Sequence, residues 1–239
     1  MTSDPRDITL QQAAWIAGIA YLLVFIVSIF ANSFALQKLV VLGNATTTAA
    51  NIIAHETLFR LGIAGWLIVL VCDAVAAWGL YIVLKPVNGG LSLLAAWFRI
   101  IFVAILAVSF AGHFSVLELL QSPSYLARIE TNHLQAQAME LLQRHESTVH
   151  VGFLFFGAHI LLLGYLIYRS GYAPRLLGIL LLIASIGYLI DSFGNFVSAG
   201  YGGNPTYFVI FVGVPAVISE FYLTLWLLLK GRKVALPVT

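Results

Sequence analysis

The sequence predicts an all-α membrane protein: a bundle of six transmembrane helices, with an amphipathic interfacial helix in the third extramembrane loop. Three observations carry this expectation. The 239 residues are 61% hydrophobic and 9% charged, with a mean hydropathy of +0.96, whereas a soluble domain carries roughly a quarter charged residues. Six apolar stretches reach the roughly 20 residues that cross about 30 Å of hydrocarbon as helix. Their runs are continuous and rich in Leu, Ile, Ala and Gly, where a membrane strand would alternate over about ten residues. A single polytopic membrane domain spanning residues 1–239 follows, with the lipid bilayer as its solvent. The 12 Lys and Arg and 10 Asp and Glu cannot clothe a water-facing surface. A net charge of +2 excludes a nucleic-acid-binding face. One cysteine, Cys72, excludes an intrachain disulfide and a cysteine-only metal site.

The first span covers about residues 11–34. It reads as an uncleaved anchor, because the preceding Asp4, Arg6 and Asp7 are not a positive n-region and the apolar run is too long for a signal peptide. The second covers about 59–84, and Asn44 reads as an N-cap from which helix begins before the hydrocarbon proper. KPVNGG, at 85–90, is a short polar turn into the third span, about 91–120. Between 121 and 147, Leu126, Ile129, Leu134, Ala138, Leu141 and Leu142 recur at helical spacing and predict the interfacial helix. The fourth span covers about 148–168 and the fifth about 174–197. RSGYAPR joins them, with Gly171 as a C-terminal cap and Pro174 as a first-turn proline. The sixth covers about 207–229, where Pro215 removes a backbone donor.

Lys and Arg set the orientation. With the N-terminus inside, the inner side carries Arg6, Lys85, Arg169, Arg175, Lys230, Arg232 and Lys233. The outer side carries Lys38, Arg60, Arg128 and Arg144. Seven against four predicts that both termini are cytoplasmic.

Ionisable side chains inside a span are costly and face the bundle interior or a water-filled cavity. At 100° per residue, Thr48, Asn51, His55, Gly62 and Asp73 share one stripe of the second helix. Arg99, Ser109 and His113 share one in the third, and His145, Thr148, Gly152 and His159 one in the fourth. The fifth carries Tyr188, Asp191 and Asn195 on one side, and the sixth has Glu220 near mid-membrane. A buried polar seam accounts for all of them.

Depth divides the seam. Asp73, Arg99, His159, Tyr188 and Glu220 lie near the midplane, with two readings open: neutralisation of Arg99 by Asp73 or Glu220, or a proton-relay or ligand site. His55, His113 and His145 lie near the outer interface, with Asn195 and Asp191 toward them. Three imidazoles there would suit a transition metal such as zinc. The alternative is three separate interfacial histidines, because the spacings carry no HExxH or other metal signature. There is no Walker loop, dinucleotide-binding glycine motif or GxSxG, so no catalytic residue is assigned.

Two runs then stand out: GNATTTAANIIAHETLFRLGI at 43–63 and GFLFFGAHILLLGYLIYRSGYAPRLLGILLLIASIGYLID at 152–191. With the KPV turn they resemble the bacterial membrane family called domain of unknown function 4386. The resemblance implies a multi-helix protein of the bacterial cytoplasmic (inner) membrane and brings no activity with it. It sets Asn51, His55, His159, Tyr165, Arg169, Pro174 and Arg175 within motif-bearing stretches. Three functional readings follow. The first is a binding site, open to catalysis, for a small-molecule or lipid ligand in the His/Asp seam. The second is a non-catalytic accessory or sensor subunit with a protein partner or a second copy of the chain. A transporter ranks last, since no internal repeat is visible.

Overall fold

Long continuous apolar stretches leave the backbone no way to satisfy its polar groups in lipid except as helix, and the described residues are helical apart from short connections. The computed structural model describes residues 8–198, 201, 206 and 209–231. Among these, five helices are long and apolar enough to cross a membrane, and there is no strand. Helix α1 (Leu10–Ile29) continues through a π-helical stretch, Phe30–Leu36, to Leu39. Then follow α2 (Ala45–Ala54), α3 (Glu56–Leu84), α4 (Gly89–Gln121), α5 (Thr131–Arg169), α6 (Arg175–Val197) and α7 (Val214–Leu229). Their outward faces are apolar: Val108 is 74% exposed and Phe193 58%. Patches of that kind are not left to water by a soluble monomer.

Local chemistry explains the boundaries. Asn44 caps α2, its Oδ1 accepting from the Thr47 amide at 2.9 Å. Gly171, two residues past the end of α5, has φ +73°, a left-handed conformation that favours glycine. Pro174 sits immediately before the first turn of α6. Gly178 has no room for a Cβ, which would lie 2.8 Å from both the Gly164 carbonyl oxygen and the Tyr168 amide nitrogen.

Three expectations change. The amphipathic stretch before the fourth span is not a separate interfacial helix: Thr131–Arg169 is one helix of 39 residues, about 58 Å long. No Gly or Pro lies between Thr131 and Val151, and Gln, Ala, Glu, Leu and Arg favour continuation. Its apolar stripe, including Ala138 and Leu142, packs on Leu39, Ile52, Phe59 and Phe110 rather than on lipid. Second, the helix begun at Ala45 breaks at His55 (φ −123°, ψ 39°), so α2 and α3 are not in phase. Third, the sixth stretch is divided, the π-helical turn Val209–Gly213 leading into an α7 of 16 residues. The expected start of the sixth span at Tyr207 lies outside the described residues, as do Asp4, Arg6, Asp7, Arg232 and Lys233.

Two compact units can be distinguished. The first comprises Met1–Leu22, Cys72–Phe102 and Gly152–Thr239; the second comprises Leu23–Val71 and Val103–Val151.

Candidate functional site

In the first unit, the buried charges gather around Arg99 of α4, whose side chain is 1% exposed. Burying a guanidinium demands a partner for its charge and acceptors for its protons. Nη2 forms an ion pair with Asp73 Oδ1 of α3, and Nη1 donates to the Tyr21 hydroxyl of α1. Nη1 also reaches His159 Nε2 of α5 at 3.2 Å. The guanidinium carbon lies 4.5 Å from the Tyr21 ring centroid and 5.3 Å from that of Phe156, within cation–π range. Nε has no hydrogen-bond partner among the described residues.

The histidine's role follows from its neighbours. His159 Nδ1 is 2.8 Å from the Ala95 carbonyl oxygen, which can only accept. Nδ1 therefore carries the proton, and Nε2 is free to accept from Arg99, which can only donate. Ala95 precedes Arg99 by one turn of α4, so that turn holds both sides of the ring. A neutral tautomer is selected by geometry.

Beyond Phe156 lies a second carboxylate. The Tyr188 hydroxyl of α6 donates to Glu220 Oε1 of α7 at 3.0 Å. The Phe156 ring meets Tyr188 edge-on at 5.0 Å, so one aromatic ring touches both Arg99 and Tyr188. Glu220 is within electrostatic reach of Arg99 and Asp73. It is only half-buried, whereas Arg99, Asp73, His159 and Tyr188 are all buried. One guanidinium thus sits within electrostatic reach of two carboxylates, Asp73 buried and Glu220 partly exposed. Asp191 and Asn195 also belong to this unit; Asn195 Nδ2 donates to the Asp191 carbonyl at 2.8 Å and to its carboxylate at 3.3 Å.

The second unit holds the three outer histidines, and two of them meet. The His113 and His145 rings stand edge-to-face with centroids 4.5 Å apart. Phe110 contacts both, at 4.9 and 4.5 Å, and Trp66 stacks on Phe110 at 4.9 Å. Ser109 Oγ is hydrogen-bonded to His145 Nδ1. His113 Nδ1 and Trp66 Nε1 are buried without a hydrogen-bond partner among the described residues. His55 does not join them as expected: it is exposed at the break between α2 and α3. Among the described residues no three His, Cys, Asp or Glu are grouped to hold a metal ion. The helical phase that aligned His55 with Asp73 fails because the helix is interrupted between them. Asn51 instead ties α2 to the end of α1, donating to the Leu39 carbonyl at 3.3 Å.

Sequence reasoning missed Tyr21, Phe156 and the Ala95 carbonyl. Tyr21 carries no charge and lies in an apolar run. The available sign was its place on the same helical face as Ala14 and Ala17, small residues that let a neighbouring helix approach.

Fold and site together define a multi-pass, all-helical membrane protein with a buried ion-pair network. The chain belongs to the family described as Domain of unknown function (DUF4386), which it matches over residues 16–231. An uncharacterised protein of Archaeoglobus fulgidus is 32% identical over 173 residues, covering 72% of this chain and 85% of the relative. No solved structure matches.

Proposed function

We propose that this protein spans the bacterial cytoplasmic membrane six times with both termini inside, and binds a small polar or lipidic ligand at the Glu220–Tyr188 edge of the Arg99 network. Residues 209–229, the π-helical turn Val209–Gly213 with α7, support the sixth crossing; at helical rise they span about 30 Å. The excess of Lys and Arg in the inner segments supports the orientation. The observation that supports the binding reading is a partly exposed Glu220, held by the Tyr188 hydroxyl, beside an otherwise buried charged cluster. A half-buried carboxylate held by one tyrosine hydroxyl can take up a ligand donor or cation without dismantling the Arg99–Asp73 pair.

Native mass spectrometry of the purified protein, with extraction of co-purifying small molecules, tests the binding reading. Wild type should retain a species that Glu220→Gln loses while Arg99 remains structurally intact. Equal retention by both overturns it. Reporter fusions test the orientation: activity inside near Val87 and outside near Asn132 is expected. An outside signal at both sites contradicts it.

A further inference from the structure

The motifs RSGYAPR and KPV play no part in the Arg99 network, yet the first unit brings them together. Tyr172, in the turn between α5 and α6, donates to the Val83 carbonyl at the end of α3, at 2.6 Å. Its ring stacks on Trp226 of α7 with centroids 6.4 Å apart. That one side chain anchors three helix ends to each other. Lys85 follows Val83 by two residues, Arg169 and Arg175 flank Tyr172, and Lys230 follows Trp226 by one turn. All four cations are exposed, and none forms an ion pair among the described residues. Neither joining turn contains an acidic residue. Aromatic rings lie alongside the charges: Lys85 Nζ is 5.8 Å from the Tyr81 centroid, and the Arg175 guanidinium is 5.8 Å from that of Tyr168.

Interfacial aromatics seat at headgroup depth, and unpaired Lys and Arg beside them attract anionic lipid. We infer that the rim formed by Lys85, Arg169, Arg175 and Lys230 around Tyr172 is a binding surface for the phosphate headgroups of anionic phospholipids. Lys85, Arg169 and Lys230 also complement the carbonyl ends of α3, α5 and α7, whereas Arg175 opens α6. That helix-end role would alter stability when they are removed, but it would not distinguish one lipid headgroup from another. The inference does not rest on the ligand reading of Glu220.

The test is native mass spectrometry of the full chain titrated with phosphatidylglycerol or phosphatidylcholine of matched acyl chains. Wild type should retain phosphatidylglycerol preferentially, with the preference falling as salt rises. The triple variant Lys85→Gln, Arg169→Gln, Arg175→Gln should lose about a hundredfold in that preference, near fivefold per cation. Arg60→Gln with Arg144→Gln, which removes two cations of the second unit, should leave it unchanged. Equal retention of the two lipids by wild type, or undiminished preference in the triple variant, overturns the inference. So does displacement of the lipid by millimolar inorganic phosphate, which would assign the rim to a soluble phosphate. Should the triple variant fail to fold, Arg175→Gln alone and the salt dependence of wild type decide the question.

Discussion

Replacing Arg99 by Met tests whether the Arg99 network is a set of charges that need one another. Arg99 and Asp73 are 1% and 5% exposed at their side chains, so water cannot take over the role of the guanidinium. Removing one member of a buried pair costs about 3–5 kcal/mol, chiefly by stranding the other charge. Tyr21 and His159 also lose their donor, and a buried acceptor left without one costs about 1–3 kcal/mol before relaxation. The single variant should therefore lose at least about 4 kcal/mol. Adding Asp73→Leu removes the stranded carboxylate, so the double variant should be more stable than Arg99→Met alone. The coupling in a double-mutant cycle should then be about 2–3 kcal/mol. Reversible unfolding in mixed micelles, followed by helical circular dichroism, measures all four corners. A double variant as unstable as Arg99→Met, or coupling below about 0.5 kcal/mol, would refute the dependence of Asp73 on Arg99.

Gly178→Ala should destabilise by about 1–3 kcal/mol in the same assay, because the new methyl meets the backbone of Gly164 and Tyr168, which cannot rotate away. Asn44→Ala removes the side-chain acceptor for the Thr47 amide and should cost about 1 kcal/mol, with amide exchange rising first in the opening turn of α2. Burial pushes the Tyr172 phenol from 10.0 up to about 12. Its folded pKa is raised, so its contribution is complete below pH 10 and is lost as pH rises through about 12. Stability against pH should fall less steeply across that window in Tyr172→Phe than in wild type.

Helix existence, the capping of α2 by Asn44 and the tight turns at Gly171 and KPVNGG were legible in the sequence. Each depends on neighbours a few residues away: apolar runs, a cap three residues from its donor, a glycine at a helix end. The inward phase of Asp73, Arg99, His113 and His159 was legible for the same reason, and all four are buried. Only the tertiary structure decided which of them meet. Arg99 finds Asp73 26 residues away, His159 60 away and Tyr21 78 away, separations over which helical phase carries no information about helix order. It also decided that Leu134, Ala138 and Leu142 face protein rather than the membrane surface, because an amphipathic stripe specifies an apolar neighbour without specifying which one. The exposure of His55 belongs with these: a single non-helical residue rotates everything before it relative to everything after, and no periodicity in the sequence registers that break.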